Sequence, residues 1–196
     1  MRKQPEFSGF DANDPTILEW VPENRITELN PPSALLPLLQ EHGLLTARVQ
    51  QRCEQSFRLQ LLQVHDEGAG WLSHYEPWAG GEGDRREIVM WCDDIPGLYA
   101  ETVIPDETAK AQPWIRTLGT QPLGERLQFT EGVTRSDFTY AYIPVTSATL
   151  RPTLPDAWLK QNQRGVYARR STFRIHDHYL WLVEVFLGAL MPDPDE

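Results

Sequence analysis

Cysteine is scarce in this chain, with only Cys53 and Cys92 among 196 residues. They stand in no CxxC or zinc-ligand spacing, which excludes a disulfide framework or metal ribbon and fits free thiols in a reducing cytoplasm. Long hydrophobic runs are missing too. No stretch approaches the roughly 20 apolar residues needed to cross a bilayer, and the polar, acidic segment after Met1-Arg2-Lys3 offers no signal-peptide core. The expectation is a cytoplasmic protein without membrane insertion. Positive charge is in deficit, 18 Lys and Arg against 28 Asp and Glu for a net charge of −10, which argues against nucleic acid or an anionic membrane surface as partner. An anionic small molecule remains compatible, provided its pocket supplies arginines. Several catalytic signatures are absent. There is no GxSxG elbow, no GK[ST] follows Gly81-Glu82-Gly83, and no histidine can be assigned to Cys92 as a catalytic partner. His176-Asp177-His178 reads as a polar hairpin tip rather than a metal site. Neither a metal nor a cofactor is expected.

What the sequence does contain is organised around a stretch near its end. Val166 to Ile175 and Tyr179 to Leu187 are rich in β-branched and aromatic residues and flank that polar tip, the pattern of a β-hairpin. The second run is apolar on both alternating faces, as in a strand covered on both sides, except that Glu184 shares a face with Leu180, Leu182 and Phe186. An ionised carboxylate buried there without partners costs several kcal/mol or more. It is therefore paired, neutralised or kept for chemistry. A loop that sets Ile175 opposite Tyr179 puts Glu184 across from Arg170, and a loop one residue shorter puts it across from Arg169. Residue pattern alone leaves a structural salt bridge and a functional acid both open.

The rest of the chain reads as a single α+β domain with antiparallel hairpins and interspersed short helices. Residues 1–30 form a strap or tail, 31–192 the domain and 193–196 an acidic tail. Ser33 as N-cap and Gly43 as C-cap bracket a short core helix. Leu45, Val49 and Cys53 keep helical spacing, after which Phe57, Leu59 and Leu61 alternate as a strand beginning at about Cys53. Asp66 to Gly70 is a turn and Trp78 to Asp84 a longer loop. Arg86 to Cys92 and Leu98 to Ile104 bracket Asp93-Asp94-Ile95-Pro96-Gly97 as a second hairpin. Trp114 to Leu118 and Leu123 to Phe129 read as short helices, Thr134 to Ile143 as one strand, and the neighbourhood of Trp158 as a helical turn.

Four stretches together resemble the chorismate pyruvate-lyase family, enzymes without a cofactor that convert chorismate to 4-hydroxybenzoate and pyruvate at the entry to ubiquinone synthesis. They are Arg86-Glu87-Ile88; Thr102-Val103-Ile104-Pro105; Leu118-Gly119-Thr120-Gln121-Pro122-Leu123-Gly124; and Ala168-Arg169-Arg170-Ser171 followed by Leu182 to Leu187 and Met191-Pro192. The resemblance covers residues 85 to 192, and residues 1–84 match only loosely. It implies a six-stranded antiparallel sheet with helices on one side and helical flaps enclosing the ligand. A monomer is expected. It also implies that Arg86 binds the ring carboxylate, that the backbone N–H of Leu123 assists, and that Glu184 meets the ring hydroxyl. Chorismate carries a second carboxylate, for which Arg169, Arg170 or Arg135 is available, the arginine fork being suited to carboxylates.

Two departures accompany the resemblance. Glu101 stands where the family usually has arginine, on a face shared with Tyr99 and Val103, where it either alters the site's field or lies on the solvent side. Leu35 and Leu36 fall near where a methionine lines the family's cavity. A non-catalytic module that binds a small aromatic acid on the same scaffold is the alternative reading, which retention of Arg86 and Glu184 disfavours.

Overall fold

The computed structural model describes residues 18–65, 83–147, 154–159 and 164–191. The features expected at 1–17, the turn Asp66 to Gly70, most of the Trp78 to Asp84 loop and the acidic tail lie outside the described residues. The organising element is one antiparallel sheet. Its strands are β1 (Val21–Pro22), β2 (Phe57–His65), β3 (Gly83–Cys92), β4 (Ile95–Pro105), β5 (Val133–Arg135), β6 (Thr139–Pro144), β7 (Gly165–Ile175) and β8 (His178–Phe186). The order is β1-β6-β7-β8-β4-β3-β2, with β5 also pairing with β7. Eight strands among the described residues correct the expected six. The additions are β1 and β5, of two and three residues, too short to show an alternating pattern. The strand expected from Thr134 to Ile143 is divided between β5 and β6, which pair with different halves of β7.

Both long hairpins turn tightly. Asp93 and Asp94 carry φ of 51° and 63°, the positive values that a two-residue primed turn requires and that aspartate tolerates. At the other tip Ile175 pairs with His178, so the shorter of the two loops forms and Glu184 faces Arg169.

Each face of the sheet has its own core. Short helices cover one face: α1 (Leu36–Leu39), α2 (Leu45–Gln50), α3 (Asp106–Ala111), a 3-10 turn at Pro113–Thr117 and α4 (Leu123–Gln128). Leu38, Leu39, Val49, Ile115 and Leu127 from these elements pack onto Ile88, Leu98 and Phe186 of the sheet. The opposite face buries Tyr99, Val103, Val183 and Val185 beneath Leu154, Trp158 and Trp20. This double coverage is why β8 is apolar at nearly every position. The helix expected over 34–43 is only four residues long, and Ser33 does not cap it; Leu35 and Leu36 N–H groups bond the carbonyl of Pro32 instead.

The expectation of free thiols is overturned. Cys53 and Cys92 form a disulfide joining the end of the α2 segment to the end of β3. Cys53 therefore belongs to a turn before β2, which begins at Phe57 and not near Cys53. Cysteine usage no longer points to a reducing compartment. No helix among the described residues is long and apolar enough to cross a membrane.

Candidate active site

One rung of the sheet supplies the centre of the site. Tyr140, Arg169, Glu184, Ala100, Ile88 and Leu61 are successive cross-strand partners from β6 to β2, so their side chains share the helix-covered face. Ala100 is the smallest of the six. Beside the carboxylate of Glu184 it leaves space where a larger side chain would fill the floor. The neighbouring rung runs Ser171, Leu182, Thr102, Arg86, bringing the second polar anchor to the same face. Arg86 on β3 and Glu184 on β8 are separated by β4, two strand spacings of about 5 Å each.

Above these rungs α2 and the start of α4 flank a narrow, partly open cavity of about 50 Å³, lined by Leu45, Arg86, Leu123, Arg135, Arg169 and Glu184 among others. Leu123 opens α4, and the first intrahelical bond there joins Arg126 N–H to the Pro122 carbonyl. The N–H of Leu123 therefore precedes the helix's internal bonding and is available to a ligand.

Arg86 is only 4 % exposed. One terminal nitrogen donates to the carbonyls of Gly119 and Gln121, at 2.9 and 3.1 Å, while its buried Nε has no hydrogen-bond partner. Gly119 takes φ of 56°, and this turn of the Leu118 to Gly124 motif aims both carbonyls at the guanidinium. Burial pulls the Arg86 pKa down to about 10. That still leaves a cation at neutral pH, with no acidic side chain bonded to it among the described residues. A buried cation held by neutral carbonyls is a receptor for an anion.

Glu184 is 7 % exposed and Arg169 fully buried. The Nε of Arg169 donates to Glu184 Oε2 at 2.7 Å. Its Nη1 donates to the carbonyls of Leu38, Leu39 and Glu41 at 3.3, 2.9 and 2.6 Å. Arg169 thus caps the C-terminal end of α1, whose carbonyls have no partners within so short a helix. Arg135 approaches the same carboxylate oxygen at 3.6 Å, donates from Nε to Ser171 Oγ at 2.9 Å, and lies over the rings of Phe138 and Phe173. Burial draws its pKa down to about 10 against the opposing pull of Glu184, so it too is a cation at neutral pH. Glu184 is salt-bridged, and its carboxylate also lines the cavity.

Among the residues expected at the site, Arg86, Leu123 and Glu184 come together, as do the candidates Arg135 and Arg169. Arg170 is a correction. Alternation along β7 sends it to the other face, where its guanidinium stacks 4.4 Å over Trp20 and Nε bonds Thr139. Glu101 also lies on that far face, fully buried, where Tyr99 donates to it and to Glu87 at 3.2 and 2.6 Å. It is neither solvent-exposed nor in the cavity. Leu35 is buried in the core beneath α1, and the cavity wall is made by Leu44, Leu45 and Thr46 instead. The sequence reading missed α2 as a wall because Leu45 and Val49 signal burial without saying against what.

The fold and site define an antiparallel-sheet protein with a small, partly open cavity lined by arginines and a buried carboxylate. The family model for chorismate lyase matches residues 17–192, and the chain belongs to the chorismate lyase family. A probable chorismate pyruvate-lyase of Ralstonia nicotianae is 36 % identical, with 74 % of this chain and 77 % of that protein covered. Proteins of the same printed name from Shewanella loihica and Halorhodospira halophila are 31 % and 30 % identical; the matches cover 87 % and 89 % of this chain and 87 % and 92 % of theirs. Among solved structures, the C-terminal domain of a histidine utilization repressor from Pseudomonas syringae pv. tomato aligns with a TM-score of 0.49 at 14 % identity, over 70 % of this chain and 95 % of that one.

Proposed function

We propose that the protein is a chorismate pyruvate-lyase that acts without a cofactor and releases 4-hydroxybenzoate and pyruvate, the entry to ubiquinone synthesis. The observation that carries this reading is the joint placement of Arg86 and Glu184 on one cavity floor, a buried cation at one end and a buried carboxylate at the other. Arg86 takes the ring carboxylate, assisted by the Leu123 N–H. Glu184 takes the ring hydroxyl, which lies para to that carboxylate. In the elimination the bond from ring carbon C3 to the ether oxygen breaks, and its electron pair leaves with the enolpyruvyl group. The hydrogen on C4 departs as a proton, its electrons complete the aromatic ring, and enolpyruvate gains a proton at its methylene carbon to become pyruvate. Atoms and electrons balance with no oxidant. The protein's part is to fix the ring between two charged anchors, exclude water and hold the hydroxyl-bearing carbon in place. Glu184, ion-paired to Arg169, is suited to accepting the hydroxyl's hydrogen bond.

Purified protein incubated with chorismate in the presence of a chelator is expected to yield 4-hydroxybenzoate and pyruvate in equal amounts. Arg86→Ala and Glu184→Ala are expected to reduce kcat/KM by at least about 10-fold and up to about 150-fold, the scale set by losing a charge-assisted contact. A folded wild-type protein that binds 4-hydroxybenzoate but makes no product would replace the enzyme with a binding module.

A further inference from the structure

We infer that Arg135 is the anchor for the second carboxylate of the substrate, the one carried by the enolpyruvyl ether. This rests on the lyase reading and extends it to a part of the substrate that the product 4-hydroxybenzoate no longer contains. Arg86, Arg135 and Arg169 line the cavity with two carboxylates, buried Glu184 and, on α4, exposed Glu125; apart from that exposed rim the lining carries three positive charges against one, an excess that matches a dianion. The three arginines are not equally available. Arg169 is fully buried, and its Nε and Nη1 are committed to Glu184 and three carbonyls of the α1 segment, so only Nη2 is left and a two-pronged contact to a carboxylate is closed to it. Arg86 lies on β3, across the cavity, and receives the ring carboxylate. Arg170 is on the other face of the sheet.

Arg135 remains. Its Nε is fixed by Ser171 and its plane is held against Phe138 and Phe173. Among the described residues its terminal nitrogens have only the Glu184 oxygen near them, at 3.6 Å, beyond a good hydrogen bond. The chemistry of chorismate specifies this position. The ring hydroxyl and the enolpyruvyl ether sit on adjacent ring carbons, so a ring whose hydroxyl meets Glu184 must direct its ether carboxylate to the surroundings of Glu184. Arg135 is the cation there with both terminal nitrogens to give, since among the described residues only its Nε is bonded, to Ser171. A rigid, aromatic-backed guanidinium loses little freedom on forming a bidentate carboxylate contact. Once the ether bond breaks, this contact goes with pyruvate, leaving the aromatic product on Arg86 and Glu184.

The test separates the two carboxylates. Arg135→Gln is expected to lower kcat/KM for chorismate by about 10- to 150-fold, the worth of a hydrogen bond to a charged group, while the Kd for 4-hydroxybenzoate changes less than about threefold. Arg86→Gln is expected to weaken both, and Arg135→Lys to recover part of the chorismate loss. A parallel measurement uses an unreactive 4-hydroxybenzoate carrying a carboxymethyl ether next to its hydroxyl, compared with the corresponding neutral amide. Wild-type protein should bind the acid at least tenfold more tightly, and Arg135→Gln should erase that preference. Equal losses for chorismate and 4-hydroxybenzoate in Arg135→Gln, or no preference for the acid in the wild type, would overturn the assignment. Failure of the wild type to convert chorismate would instead sink the lyase reading on which it rests.

Discussion

The side chain that ties this molecule together is Arg169, and its worth lies in what it leaves behind when removed. A fully buried guanidinium is costly to desolvate, and here one carboxylate and three carbonyls offset that cost. Arg169→Met would leave Glu184 with Arg135 at 3.6 Å and the Leu39 and Glu41 carbonyls without this donor, while the Leu38 carbonyl keeps the N–H of Glu41. Breaking a buried pair from one side typically costs about 3–5 kcal/mol, and that loss should appear as a lower urea midpoint at unchanged m-value. A loss under about 1 kcal/mol would mean that water or a shifted Arg135 can replace Arg169. The same residue marks how far the sequence could be read. Burial of Glu184 follows from alternation along β8, and its partner was narrowed to two arginines. Choosing between them required the length of the turn at His176-Asp177, a matter of one residue that reverses which arginine faces the cavity. Arg135 was one candidate among three for the second carboxylate, because no periodicity reports that a three-residue strand ends beside Glu184.

At the level of elements, the wall of the cavity is secured twice at its far end. The Cys53–Cys92 disulfide closes the segment that carries α2 onto β3. Next to it, the carboxylate of Asp93 accepts the N–H groups of Glu54, Gln55 and Ser56 at 2.9, 2.8 and 2.6 Å, bonds that hold its pKa below the usual carboxylate range. With the cysteines separated by 39 positions in the sequence, the chain-entropy relation gives about 4 kcal/mol as the stabilisation from the bridge. Reduction, or Cys53→Ser with Cys92→Ser, is accordingly expected to lower unfolding free energy by up to about that amount, measured by denaturant titration with and without reductant. The Asp93 bonds keep the turn itself in place. Identical midpoints in both conditions would show that the bridge is not formed in solution. Neither tether was legible beforehand. Cysteine spacing suggested free thiols, and only the return of the chain through β2, pairing Phe57 with Cys92, brings the two sulfurs together. The hairpins were legible because each long strand carries its own pattern and turn residues, whereas β1 and β5 owe their existence to the edges of neighbouring strands.

For the whole molecule the decisive quantity is space. An apolar cavity that accepts a benzene ring measures roughly 150 Å³, three times the volume between α2, α4 and the sheet, so a substituted ring fits there only when a wall moves. The walls that can move are the short helical segments. The sheet beneath them is a continuous ladder with a packed core on each face. Arg169 joins the two parts, holding the end of α1 with one nitrogen and Glu184 with another, so release of a ring from Glu184 and movement of the α1 segment act on a shared set of bonds. In the proposed reaction the product would keep both anchors assigned to the substrate's ring, the Arg86 cation and the Glu184 carboxylate, and face the same walls. Opening for product, and not cleavage of the ether, should then limit turnover. Rapid mixing with excess chorismate is expected to give a burst of about one 4-hydroxybenzoate per protein, followed by a slower steady rate equal to the dissociation rate of 4-hydroxybenzoate measured by displacement. A linear course from the first turnover, or dissociation far faster than kcat, would place the slow step in the elimination and make the enclosure a means of excluding water rather than of retaining product.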